Sequence, residues 1–197
     1  MAGTTRLEAI NQILAAIGET PVNTLESGYL EAVLADNFLK EVDKEVQSRA
    51  WNFNTEYAKT FTKTISGEIV LPTNILRVDA SLNPSSKDLV QRGLRMYDRG
   101  NHTYIIDEDV TLDIVIQIDW EDLPEPAKRY IIDRAARKNQ DRVVGSGTLH
   151  DFTLIDERES LIYLKEFDNI SEDNNIFDNY SVYRVIDRNR GRYNGSY

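Results

Sequence analysis

The hydrophobic periodicity of this chain points to an α+β protein: a four-helix domain, an antiparallel β insertion and an extended C-terminal tail. Three observations carry that expectation. Apolar residues recur at helical spacing up to about residue 50, alternate in strand-like runs between residues 51 and 121, and return to helical spacing after Pro124-Glu125-Pro126. The expected organisation is a discontinuous helical domain (residues 1–50 and 122–168), a β-sheet insertion (51–121) and an extended tail (169–197).

Thr5 and Glu8 form a capping-box pattern, in which each side chain can satisfy an unpaired backbone N–H of the first helical turn. Leu7, Ile10, Leu14 and Ile17 follow at helical spacing, and Gly18 is placed to cap the C-terminus. A turn-rich link around Pro21 leads to a longer helix over residues 28–49, with Leu30, Leu34, Phe38, Val42 and Val46 as its apolar stripe. The period then becomes two. Trp51, Phe53, Thr55 and Tyr57 alternate with polar residues, and further strands are expected over residues 68–71, 76–80, 89–97, 103–106 and 110–120. Arg99-Gly100-Asn101 suits a hairpin turn between two of them. Val110, Leu112, Ile114, Ile116, Ile118 and Trp120 alternate without a break, which predicts a sheet with one buried face. Proline at the first turn costs a helix no hydrogen bond, so Pro126 fits the start of a third helix reaching about Val144. Gly145-Ser146-Gly147 breaks it, and a fourth helix is expected over residues 148–167, with Leu154, Leu161 and Leu164 inward.

Composition narrows the function. With 197 residues, 41% hydrophobic and 28% charged, the chain can bury a core of one domain or two small ones. No apolar run approaches membrane-spanning length, and the N-terminus lacks a signal-peptide core. The absence of cysteine removes disulfides, thiolate metal sites and cysteine nucleophiles. A net charge of −10 argues against a protein that grips duplex DNA, since phosphates are met by clustered Lys and Arg.

No motif calls for a cofactor or metal. His102, in the expected hairpin turn, and His150, near a helix start, read as exposed polar residues with no ligand spacing around them. Asp107-Glu108-Asp109 offers oxygen ligands but lacks the spacing of a calcium loop, and a solvated turn explains it better. Trp51, Phe53 and Tyr57 read as sheet-face core rather than a base-stacking platform. Lys128, Arg134, Arg137, Lys138 and Arg142 gather on the third helix with Arg129, diluted by Asp133 and Asp141. Such a face pairs with acidic neighbours, within the chain or across a subunit boundary.

The tail differs from everything before it. Residues 180–197 contain four arginines, four tyrosines and one acid, a charge of +3 that leaves −13 on the remainder. A polar, Gly/Asn-rich segment without period buries too little apolar surface to offset its ordering entropy. A frayed terminus is one reading. The other is a binding strap, because Tyr and Arg are the residues most often found as interface anchors.

Several runs resemble a known family. They are Ile10 to Glu26, with Ile17-Gly18-Glu19-Thr20-Pro21-Val22 at its centre; Gln47 to Asn54; Met96-Tyr97-Asp98-Arg99; Asp119 to Tyr130; and Asn139 to Gly145. Their order and spacing over about residues 6–165 are similar to the tail tubular protein A family, the head–tail adaptors or gatekeepers of short-tailed bacteriophages. The resemblance implies a ring, usually of twelve subunits, between the portal and the tail nozzle formed by tail tubular protein B, near the tail fibres. DNA would pass through its channel without sequence-specific binding, and the protein would be made in the host cytoplasm and reside in the virion tail. The C-terminal extension would reach the portal through Tyr180, Tyr183, Arg184, Arg188, Arg190, Arg192 and Tyr193. No catalytic role is expected. Two rivals remain at this level: an envelope hydrolase using Asp107 and Glu108 as acid and base, and a nucleic-acid-binding module built on residues 128–142 and the tail.

Overall fold

The computed structural model describes residues 3–26, 28–80 and 87–171. Among them lie four α-helices and five strands: α1 (Arg6–Ala15), α2 (Leu30–Gln47), β1 (Thr55–Phe61), β2 (Ile75–Asp79), β3 (Leu89–Arg92), β4 (Arg95–Asp98), β5 (Val110–Ile116), α3 (Glu125–Val143) and α4 (Gly147–Ser171). The α+β class is as expected.

The capping box closes as the sequence suggests. Thr5 N–H donates to Glu8 Oε2 at 2.7 Å and Glu8 N–H to Thr5 Oγ1 at 3.3 Å. The helix unwinds through a turn in which Gly18 takes φ +80° and Glu19 N–H returns to the Leu14 carbonyl at 3.0 Å. A left-handed residue at that point lets the chain reverse while satisfying a helix-end carbonyl. The second helix begins at Leu30 rather than residue 28, because Gly28 (φ +69°) and the extended Tyr29 precede it.

Helix α3 is central. It packs on α1, α2 and α4, and its buried residues run nearly all the way round it: Ala127, Tyr130, Ile131, Ile132, Ala135 and Ala136. With Ile10, Ile13, Leu14, Ala35, Leu39, Val42, Val46 and Leu164 they form the larger hydrophobic cluster. Each such aliphatic side chain contributes roughly 1.5–3 kcal/mol by leaving water.

The β region differs from a single sheet. Strand β5 is the centre of a three-stranded antiparallel sheet, flanked by β1 and β2, while β3 and β4 form a separate hairpin. The expected strand over residues 89–97 is that hairpin, turned at Gly93 (φ +62°), where a left-handed residue reverses the chain. Arg99-Gly100-Asn101 makes the next turn, and the Asp98 carboxylate gathers the Gly100 and Asn101 N–H groups at 2.8 and 3.1 Å. Residues 68–71 and 103–106 pair through isolated bridges, Glu68 with Ile105, Val70 with Arg95 and Thr103 with Asp98. Trp51 and Phe53 do not open a strand; residues 52–54 form a 3-10 turn before β1.

The long alternating run serves two cores. Val110, Leu112 and Ile114 belong to the sheet cluster with Ile69, Leu71, Met96 and Ile106, whereas Ile118 and Trp120 pack on the helical cluster. The strand therefore ends at Ile116, where the chain leaves one core for the other. Two buried amides fasten this crossing. Gln47, the last residue of α2, exchanges hydrogen bonds with Ile118, at 2.9 Å to its N–H and 3.1 Å to its carbonyl. Asn54 donates to the carbonyls of Gln47 and Ile116 at 2.8 and 2.9 Å and accepts from Trp51 N–H at 3.0 Å. Buried amides with their bonding groups so occupied fix a unique geometry.

Candidate interaction surface

The basic cluster of α3 is consumed inside the chain. Arg134 reaches Glu157 of α4 at 2.7 Å and also pairs with Glu45 of α2; Arg137 pairs with the same Glu157 and, at 3.2 Å, with Asp141. Lys138 meets Glu45 at 2.8 Å and Glu41 at 3.2 Å. Arg142 lies over the Phe38 ring at 5.2 Å. Lys128 is only 2% exposed, with its ammonium 3.4 Å from the Glu121 carbonyl and 5.9 Å from the Trp120 ring. Of the two fates the sequence left open for this face, pairing within the chain accounts for Arg134, Arg137 and Lys138.

Glu157 is the hub of this network. Burial alone would raise its carboxyl, but the guanidiniums of Arg137 and Arg134 hold it below the ordinary carboxylate range. Asp133, one helical turn along α3, has the opposite balance. Burial pushes it up to about 6, and the Ser160 hydroxyl and the Arg129 guanidinium at 3.9 Å offset that only in part.

Asp107, of the acid pair suggested by sequence, is tuned away from acid catalysis. Asp107 pairs with Lys63 at 2.6 Å, which holds its carboxyl below the usual range, and Glu108 pairs with Lys87 at 2.9 Å. A general acid at neutral pH needs the reverse shift. His102 is exposed in its turn at φ +54°. His150 is half-buried rather than exposed, and its Nδ1 lies 2.8 Å from Asp141. Trp51 is core and Phe53 stacks beside it, but Tyr57 is 65% exposed, because the β1 bulge between Glu56 and Lys59 breaks the alternation. Among the described residues no group of three acids or histidines is placed to hold a metal. A cleft of about 410 Å³ lies where α1 and α2 meet the end of β5, lined by Arg6, Lys40, Asp43, Asn74, Gln117 and Trp120. Asp43, at its wall, is bound to the amides of Gln47 and Gln117.

The informative surface is one that sequence reasoning missed. Helix α4 turns Glu157, Ser160 and Leu164 toward α3, and the expected inward residues Leu154 and Leu161 are half-buried. Its opposite side carries Phe152, Ile155, Ile162, Tyr163 and Ile170, all more than half exposed. A helix apolar on both sides is ordinarily enclosed on both. Exposed apolar side chains gathered on one face in this way mark a protein–protein contact. The signal was present as the spacing 152-155-159-162, but Glu159 and Glu166 interrupt it and the inward leucines drew the period. The tail residues Tyr180, Tyr183, Arg184, Arg188, Arg190, Arg192 and Tyr193 lie outside the described residues.

Comparison with known proteins agrees with a role in assembly. The family model for tail tubular proteins matches residues 7–174. Tail tubular protein A of Klebsiella phage KP34 is 35% identical over 126 residues, which cover 64% of this chain and 66%, just under two thirds, of that relative. With a match over most of its length, the chain belongs to the tail tubular protein family and is a structural component of a phage tail.

Proposed function

We propose that the protein is the head–tail adaptor of a short-tailed phage. Copies of it form a ring between the portal and the tail nozzle, around the channel through which DNA passes, and it carries out no chemical step. The observation that supports this reading best is the apolar face of α4 that the described residues leave exposed. The helical part, residues 1–50 and 122–168, builds the wall, and the β insertion of residues 51–121 projects from it. Arg134, Arg137 and Lys138 of α3 are spent on internal carboxylates, which removes the middle of that basic face from contact with phosphates. An acidic wall repels DNA and lets it slide.

In this reading the tail is the portal-facing strap, with Arg184, Arg188, Arg190 and Arg192 pairing to portal carboxylates and Tyr180, Tyr183 and Tyr193 filling grooves. The test is binding of the full chain and of a chain truncated after Ile176 to purified portal protein, with particle mass measured alongside. The full chain is expected to give a multi-subunit ring on the portal, and the truncated chain to keep its fold but lose affinity. Unchanged portal affinity after truncation would refute the strap. A full chain that stays monomeric and ignores the portal would refute the adaptor.

A further inference from the structure

The outer face of α4 has a counterpart on α2. Leu30, Val33, Asn37, Lys40 and Lys44 are all exposed and spaced 3-4-3-4, the same spacing as Phe152, Ile155, Glu159, Ile162 and Glu166 on α4. Stripes of that spacing pack along one another at a small crossing angle. Both begin apolar and end charged, but with opposite sign: lysines on α2, glutamates on α4. Lys40 is held by Asp36 at 2.7 Å, while Lys44, Glu159 and Glu166 make no ion pair among the described residues.

The two helices also run the same way. Phe38, Glu41 and Glu45 of α2 meet Arg142, Lys138 and Arg134 of α3, so α2 is antiparallel to α3. His150 and Glu157 of α4 meet Asp141 and Arg134, so α4 is antiparallel to α3 as well. Flanking a common helix in parallel, α2 and α4 present two different surfaces that a head-to-tail contact can join copy after copy. A two-fold contact of α4 with itself, parallel or antiparallel, would instead leave Glu159 and Glu166 without the lysines of α2.

We propose that the outer stripe of α4 in one subunit packs in parallel against the outer stripe of α2 in the next. Phe152 and Ile155 then lie on Leu30 and Val33, Glu166 lies opposite Lys44, and Glu159, opposite Asn37, lies about one turn from Lys40. This rests on the ring reading above and names its seam.

The chain has no cysteine, so single cysteines report the contact without background. Full-length Val33→Cys and Ile155→Cys proteins, both altered at exposed positions, are mixed under mild oxidation while particle mass is followed. The mixture is expected to form disulfides between the two variants, and neither variant alone to form them. Disulfides in Ile155→Cys alone would overturn the seam in favour of symmetric pairing. Rings of full mass with no cross-link in the mixture would overturn the seam and leave the adaptor reading standing; particles that stay monomeric would overturn both. As an independent arm, Lys40→Glu with Lys44→Glu is expected to weaken assembly roughly tenfold, about 1.4 kcal/mol per contact. Adding Glu159→Lys and Glu166→Lys should restore it, and equal assembly by all three proteins would overturn the charge pairing.

Discussion

Replacing Asp133 by asparagine should stabilise the protein at alkaline pH and leave it almost unchanged in acid. In the folded chain the Asp133 carboxyl is raised from 3.8 to about 6, chiefly because burial between α3 and α4 disfavours its charge. Its Oδ2 accepts no hydrogen bond among the described residues. The folded state therefore holds the proton more tightly than the unfolded state, and stability falls as pH rises from about 4 to about 6. A shift of roughly 2 units corresponds to about 3 kcal/mol, all of it present above pH 7. Asparagine is close in shape and never charged, so Asp133→Asn removes the penalty. Urea unfolding of both proteins at equal concentration from pH 4 to pH 8 measures the difference. Other carboxylates titrate in both proteins and cancel in that comparison. The variant is expected to gain about 1–3 kcal/mol at pH 8, and the gap should close toward pH 4. A difference independent of pH, or a variant less stable at pH 8, would refute the assignment of a buried, unwillingly charged Asp133.

Three further substitutions probe the helical core by the same unfolding measurement. Glu157→Ala leaves Arg134 and Arg137 without their shared partner and should cost about 3–5 kcal/mol at neutral pH. Because the Glu157 carboxyl is depressed in the folded state, that loss should shrink as pH falls below its ordinary value of 4.5. Leu164→Ala opens a cavity at a fully buried position facing α3 and should cost about 2–5 kcal/mol. Thr5→Ala removes the cap of α1 and should cost about 1 kcal/mol, with a matching fall in denaturant midpoint and no change in cooperativity.

The helices were legible because their signals are local. The Thr5–Glu8 box, the Gly18 exit and the proline entry to α3 each need only a few residues, and all three stand where the sequence put them. Strand pairing was not legible, because alternation does not say which core a face meets. The run from Val110 to Trp120 alternates throughout, yet Asn54 and Gln47 tie its end to α2, so its last apolar residues join the helical cluster. Nothing in the spacing of Trp51, Phe53 and Tyr57 foretold the 3-10 turn at residues 52–54 or the bulge at Ala58 (φ +51°), where Asp113 accepts the freed N–H at 2.8 Å. The basic residues of α3 were found, but their partners lie on α2 and α4, far away in sequence. The outer face of α4 was missed because a helix apolar on two sides has no single stripe to detect.

In the proposed ring, that double face also decides which forces can hold neighbouring copies together. Each subunit carries −10, so identical subunits repel at long range, and this repulsion is screened within about 8 Å at physiological salt. Exposed Lys–Glu pairs across a seam offer at most about 1 kcal/mol each, and salt weakens them too. Neither electrostatic contribution can supply net affinity against the other with much to spare. The apolar half can: Phe152, Ile155, Leu30 and Val33 together expose enough side chain for several kcal/mol at about 25 cal/mol per Å². Under the proposed seam, affinity therefore resides in the apolar halves of the two stripes. The charged halves select the parallel, head-to-tail pairing over the symmetric one, because only there do the glutamates lie near the lysines. Net repulsion then acts as a brake that keeps subunits apart until the geometry is right.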